Sequence, residues 1–540
     1  MSNEPHANVG IADRITRPAI QLAVLNAAGL VLAVAWQVTI AAYFGTTSDL
    51  DAFWIALALP KAITDAIHLG LLTILFILIF NLPQSDKSRA ELTSSVLNAV
   101  VLGTLIVMPL MMMSAHLLTR WTGRGLDPRH QLEAERMLRV LVFILLPNCL
   151  AGAFAGILHA HQRFVPLALG RILSLFAQIL LLYVLVTHAG LGADALIWST
   201  LAGAVILFLC CVPGFLHIGF PYRPVLRWRG PEQRAIVDVA LTMMAFLVLD
   251  RLNQVVDRFV ASFLAPGSIS ALEYGWRFEI PIAHVLGMSV ALPALAVMAG
   301  HAGERQWSEL RATIAHSLQL MILLVMPVIG FVVVLREPLT FLWFERGAFS
   351  SASARLVSSL LPFMGVMFLM KALGTITVYG LLSMRKLRIL LVALLAESAV
   401  NASLDALLFR PLGLPGIALA SAIAMTFGNV WLGRVLLREL HDWPFASLAV
   451  QLRKPVAATV TSIVTLAVLF RLFGVGWIGG GHLANAIELG VIGLTFLLGH
   501  LLLANRMGLL ELRFGGGRPR LLLRPGEAAA ASAAPGVSDY

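Results

Sequence analysis

The sequence predicts an all-α polytopic membrane protein with about fourteen transmembrane helices, grouped as two six-helix lobes plus two C-terminal helices. Three observations predict it. First, 59% of the residues are apolar and 13% charged, with a mean hydropathy of +0.86; soluble globular domains carry about twice that share of charge. Second, apolar runs of the roughly 20 residues that cross a bilayer recur along the whole chain. Third, the basic loop 218–235 separates six such runs from the eight that follow.

In order, spans are expected at 19–44, 52–82, 94–118, 137–160, 164–187, 193–217, 236–264, 268–299, 314–342, 353–382, 388–409, 414–437, 455–473 and 482–504. Residues 1–18 are a polar tail carrying Arg14 and Arg17. The run from Ala19 to Phe44 is too long for the apolar region of a cleavable signal, and no small-residue cleavage site follows it. The N-lobe is then 19–217, the basic linker 218–235, the C-lobe 236–438 and the last helix pair 439–504. The tail 505–540 starts with arginines and turns Ala/Ser/Pro/Gly-rich, which predicts disorder with its basic part against anionic lipid. The polar stretch 304–318, with Trp307, Leu310, Ile314 and Leu318 on one stripe, reads either as an interfacial helix or as an extension of the ninth span.

The Lys and Arg outside the spans fall 23 on the N-terminal side against nine opposite, so both termini are expected in the cytoplasm. The loop 119–136 is the basic exception on the outer side. The net charge of +10 thus belongs to loops that set orientation and contact lipid, and no nucleic-acid partner is expected. Cys149, Cys210 and Cys211 lie in apolar runs without metal or redox spacing and read as small core residues. The loops are short and show no paired carboxylates of the kind glycosyl transfer needs, so a transporter is expected and not an enzyme.

Charges inside the spans need a reason, because an ionisable side chain in lipid costs roughly 2.5–3.5 kcal/mol even on insertion scales. They are Lys61, Arg171, Arg251, Arg258, Arg277, Arg336 and Lys371. In the stretch from Ala41 to Leu72, an apolar helix ends at Gly45, a turn carries Asp49 and Asp51, and the next helix is interrupted by Pro60. Lys61, Thr64 and His68 then share a helix face. That pattern suits a helix lining a cavity. Arg251 and Arg258, seven apart, share a face of the seventh span, where they either line a cavity or snorkel. Arg277 either binds an anion or pairs with Glu273 or Asp257. Lys371 either lines a cavity or pairs with Glu397 or Asp405. Arg171 and Arg336 read as interfacial anchors, and Glu345 to Gly347 as a turn.

Four motifs carry a resemblance. They are FG-x5-DAF-x6-P at Phe44, Gly45, Asp51, Ala52, Phe53 and Pro60; the run VDR-x-x-ASFL-x-x-GS-x-SAL-x-Y-x-x-R-x-x-x-P from Val256 to Pro281; WFERGAF from Trp343 to Phe349; and RPLGLPGIALASAIA from Arg410 to Ala424. Together they resemble the MurJ/MviN family, the lipid II flippases of the multidrug/oligosaccharidyl-lipid/polysaccharide (MOP) exporter superfamily. The resemblance implies a MOP flippase fold. It also implies that the two lobes alternate access to move an undecaprenyl-diphosphate-linked saccharide, and that the protein sits in the bacterial inner membrane. Diphosphate needs cations in the cavity, arginine best of all.

Aligned through those motifs, the family's N-lobe arginines fall here at Leu30, Trp36 and Thr64, while Asp51 and Arg277 are retained. The implied substrate-binding set is Arg277, Lys61, His68, Asp51, Arg258, Arg251 and Lys371. The departure leaves three readings open: lipid II, another polyprenyl-linked oligosaccharide of the exopolysaccharide or O-antigen kind, or a non-transporting scaffold of polysaccharide assembly. The expected partners are the lipid-linked saccharide and membrane lipids, with the chain a monomer. No cofactor and no metal is expected, and coupling to the membrane potential or to a cation is left open.

Overall fold

The computed structural model describes residues 5–67, 72–81, 85–226, 231–279, 282, 286–441, 443–473, 482–515 and 518–523. His68 and the end of the tail beyond residue 523 lie outside them. Nineteen α-helices account for nearly all of the described chain. Eleven helices among the described residues are long and apolar enough to cross a membrane. They correspond to the expected first span, the third to sixth and the ninth to fourteenth. The other three expected spans fall on helices that are divided or heavily charged, and these carry most of the candidate residues.

Contacts group the chain into two compact units. One comprises residues 1–274, 346–353 and 405–417; the other comprises 275–345, 354–404 and 418–540.

In the first unit the order is α1 (Pro5–Phe44), α2 (Ser48–Ala66), α3 (Leu72–Asn81), α4 (Asp86–Met113), α5 (Ala115–Thr122), α6 (Pro128–Leu141), α7 (Leu145–Ala160), α8 (Val165–Thr187), α9 (Asp194–Ile218), α10 (Pro231–Ala261) and α11 (Ser268–Trp276), whose last turn crosses into the second unit. Local chemistry starts several of them. Thr47 caps α2 by accepting from the Leu50 N–H at 3.4 Å, and Asp49 and Asp51 in the first turn suit the positive end of the helix. Asp127 caps α6, accepting from the His130 N–H at 2.9 Å, with Pro128 in the first turn. That bond, joined by one from the His130 ring, holds the Asp127 carboxyl below the usual carboxylate range. Pro60 does not end α2, which runs on to Ala66. The core beside it joins Leu72, Leu75, Phe76 and Ile79 of α3 to Leu92, Val96 and Leu97 of α4 and to Ala153 and Ile157 of α7.

The linker after α9 is strapped to α4 by a polar strip at helical spacing. Ser95 and Asn98 donate to the Val225 carbonyl at 3.2 and 3.0 Å, and Tyr222 donates to Asn98 at 2.7 Å. Ser94 accepts from the Arg223 N–H at 3.0 Å.

The second unit contains α12 (Met288–Gly303), α13 (Trp307–Val334), α14 (Arg336–Phe344), most of α15 (Ser351–Ser383), α16 (Leu387–Leu412) up to residue 404, α17 (Leu414–Glu439) from residue 418, α18 (Phe445–Phe473) and α19 (His482–Arg506). The stripe at 307–318 is the first three turns of α13, with Leu310 and Ile314 fully buried, so the extension of the ninth span is what forms. Buried His500 ties three helices, its ring nitrogens lying 3.0 Å from the Leu323 carbonyl and 3.0 Å from Ser462 Oγ. Beyond α19, where disorder was expected, β1 (Leu510–Gly515) and β2 (Arg518–Leu523) pair antiparallel, Leu510 opposite Leu523. The alternation of Leu510, Leu512 and Phe514 with Glu511 and Arg513 is a strand pattern that overall composition hides.

Large apolar side chains stand exposed on many of the long helices, among them Phe176, Leu209, Leu407, Val464 and Leu502. A bilayer covers such faces, where water would not.

Candidate functional site

Three of the four motifs meet at one end of the first unit. Asp51, in the first turn of α2, is 1% exposed. Its carboxylate accepts from the Gly267 N–H at 2.7 Å, the Ser270 N–H at 2.7 Å and the Ser270 hydroxyl at 2.5 Å. An acid that the resemblance placed in the substrate-binding set therefore spends both oxygens on the start of α11, satisfying donors that have no partner within their own helix. Tyr274, fully buried one turn and a half later, donates to the Gly45 carbonyl at 3.0 Å and meets Phe349 edge-on at 5.2 Å. The turn that carries Gly347 closes on the end of α1, with the Ala348 N–H bound to the Ala42 carbonyl at 2.7 Å.

Two glycines permit this approach. Gly267 has φ +88° and a Cβ there would lie 2.3 Å from the Thr46 carbonyl oxygen; Gly347 has φ +58° and a Cβ there would lie 2.2 Å from the Ala42 carbonyl oxygen. Both combine a left-handed backbone with backbone contact, which any other residue would strain. The fourth motif contributes residues 410–417 to the same unit.

The charges sort into pairs that sequence spacing could not choose. Buried Arg258 donates from Nε to buried Glu273 at 2.6 Å. Snorkelling of Arg258 is thereby excluded, and Glu273, one of the partners weighed for Arg277, is held by α10. Asp257, the other, hydrogen-bonds Asp405 of α16, and both are buried. Two carboxylates buried side by side repel when both are ionised. Arg251 lies 3.7 Å from Asp250. Lys61 pairs at 2.9 Å with Asp65, one turn on, and Lys61 is the more exposed partner.

In the second unit Lys371 pairs at 2.6 Å with buried Glu279, an acid other than Glu397 and Asp405, the partners weighed for it beside cavity lining. Glu279 carried no signal in the sequence beyond being an acid in an apolar span. Arg277 is half-buried on a turn in which the Phe278 N–H bonds to the Gly275 carbonyl at 3.2 Å, directly after α11 ends at Trp276. Phe278 stacks on Trp343 at 4.7 Å, and Trp276 packs against Phe368. The eighth span is thus a broken helix at the position of its arginine. Irregular backbone at membrane depth is tolerated where protein or a water-filled cavity covers it.

The positions aligned with missing arginines are occupied otherwise. Leu30 is half-buried, Trp36 is 8% exposed, and buried Thr64 donates its hydroxyl to the Lys61 carbonyl at 3.0 Å.

The chain is similar to known proteins. The family described as "Lipid II flippase MurJ" matches residues 40–487. Probable lipid II flippases MurJ are similar in sequence: that of Thermotoga maritima is 25% identical over 73% of this chain and 80% of its own length. That of Rhizobium tropici is 26% identical over 76% and 79%. Among solved structures, a lipid II flippase MurJ in an inward closed conformation superposes with a TM-score of 0.75 at 19% identity, covering 90% of this chain and 99% of the other. An inward-facing multidrug resistance MATE family transporter of the MOP superfamily gives 0.64 at 16% identity, over 77% and 96%. These structural likenesses establish a shared fold. The family match spans all four motifs, and the chain belongs to the lipid II flippase MurJ family.

Proposed function

We propose that this chain flips an undecaprenyl-diphosphate-linked saccharide from the inner to the outer leaflet of the bacterial inner membrane, its two lobes alternating access. As a member of its family it is a multi-pass membrane transporter and not an enzyme. The observation that carries the reading is Arg277 on the break after α11. A guanidinium held on irregular backbone offers diphosphate oxygens a fork of donors that an ammonium cannot match. Lys371, paired with Glu279, lies in the same unit as Arg277. The topology we adopt has both termini in the cytoplasm and the chain acting as a monomer, with lobes at 19–217 and 236–438 and a helix pair at 439–504. Lipid II as cargo would put the chain in peptidoglycan biosynthesis.

The test is rescue of bacteria depleted of their own lipid II flippase. The native chain is expected to restore growth and Arg277→Ala to abolish it at equal membrane abundance. Growth with Arg277→Ala would remove Arg277 from the site.

One observation favours a second head group. The N-lobe positions at Leu30, Trp36 and Thr64 are apolar or internally satisfied, so phosphate recognition there is weaker than the family pattern implies. No rescue by a membrane-resident chain would turn the assignment to another polyprenyl-linked glycan, or to a scaffold if no glycan is moved.

We read the Asp257–Asp405 pair as the coupling point for a proton or small cation. Asp405→Asn keeps the shape and removes one charge. Flipping in reconstituted vesicles is expected to lose its response to a pH or cation gradient in that variant; an unchanged response would exclude the pair.

A further inference from the structure

A second charged cluster stands apart from the candidate site, where α6 meets the first turn of α2. His130 Nδ1 lies 2.7 Å from Asp127 Oδ2 and donates to that carboxylate. Nε2 then faces two further carboxylates, Asp49 Oδ1 at 3.0 Å and Glu133 Oε2 at 4.0 Å. Arg129 engages Glu133 from the other side, through Oε1 at 3.1 Å, leaving Oε2 turned toward the ring. Three carboxylates face one guanidinium and the ring, so the cluster attracts a cation, a proton on Nε2 or a metal ion in its place. The ring itself is largely enclosed, its side chain 14% exposed.

Asp49, His130 and Glu133 present one nitrogen and two oxygens that all lie within 4.8 Å of one another. Tetrahedral zinc, with bonds of roughly 2.0–2.2 Å to such atoms, sets its ligands about 3.3–3.5 Å apart. The two separations from Nε2, 3.0 and 4.0 Å, bracket that value, and the two oxygens lie within 4.8 Å of each other. His130 and Glu133 are one turn apart on the same face of α6, and Asp49 comes from another helix, 81 residues away in sequence. Asp127 supplies what ligating imidazoles ordinarily have behind them, a carboxylate on the other ring nitrogen that fixes the tautomer.

We propose that Asp49, His130 and Glu133 form a binding site for a divalent transition metal of the zinc class, with Asp127 orienting the imidazole. The imidazole selects zinc over magnesium or calcium, which prefer all-oxygen sets. A bound ion clamps α6 to the turn that carries Asp51, two residues beyond Asp49. The assignment is independent of the transported substrate.

The test uses the full chain in detergent, free of any polyhistidine tag and stripped with a chelator, titrated calorimetrically with Zn2+ and followed by thermal unfolding. One equivalent is expected to bind and raise the unfolding temperature, with affinity reduced at least tenfold in His130→Ala and in Glu133→Gln. Mg2+ at the same concentration is expected to leave the unfolding temperature unchanged. Glu133→Gln preserves shape at a half-buried position and keeps the test decisive where His130→Ala fails to fold. Absence of stoichiometric Zn2+ binding to the native chain, unchanged affinity in a folded variant, or an equal response to Mg2+ would each overturn the proposal.

Discussion

Asp51→Ala is expected to be the most damaging single substitution at the junction of motifs. It strands the Gly267 and Ser270 N–H groups and the Ser270 hydroxyl in a site that water does not reach. Each buried donor left without a partner costs about 1–3 kcal/mol, so a loss of about 3 kcal/mol or more is expected. The start of α11 and the glycine turn before it would loosen together. The measurements are thermal unfolding of the purified chain and rescue of flippase-depleted cells, and both are expected to fall. Asp51→Asn keeps one acceptor oxygen and the volume, and should lie between the two. An alanine variant as stable and as active as the native chain would show that the cap contributes nothing.

Arg258→Met comes second. It leaves Glu273 buried with its ion-pair partner removed, and breaking one side of a buried pair costs roughly 3–5 kcal/mol. Adding Glu273→Leu to Arg258→Met is expected to recover most of that loss, because an apolar pair strands no charge. Denaturation of the four chains in detergent gives the coupling between the two positions. Simple addition of the two single losses would mean that the side chains do not depend on each other. The double variant also separates roles. Arg258 was a cavity candidate by its spacing from Arg251, and a chain that is stable yet fails to rescue growth would assign Arg258 to transport as well as to structure.

The charged pairs mark where sequence reasoning ran out. Spacing along one helix is a local property, and it placed Lys61 and Thr64 on one face. It could not decide which helix each side chain meets. Lys371 had Glu397 and Asp405 as candidates on a neighbouring helix in sequence, yet its partner is Glu279, 92 positions earlier in the chain. Asp405 was weighed only as a counter-ion for lysine, whereas it lies beside another acid. Attention to cations, natural for an anionic substrate, hid the acids. The basic loop 119–136 was noted for its Arg residues, while the cluster around His130 needs Asp49 brought from a different turn.

By itself the sequence determined that the chain lies in a membrane, that it is built from apolar helices, and that it belongs with flippases. Apolar run length, helix-breaking residues and short motifs are all read along the chain, residue by residue. Tertiary structure alone decided what Asp51 does, which acid neutralises Arg258 and Lys371, and why Gly267 and Gly347 admit no side chain. Each of those is a contact between segments far apart in sequence. A contact of that kind is set by how helices pack, and packing distributes charge over neighbours that no periodicity along one helix can name.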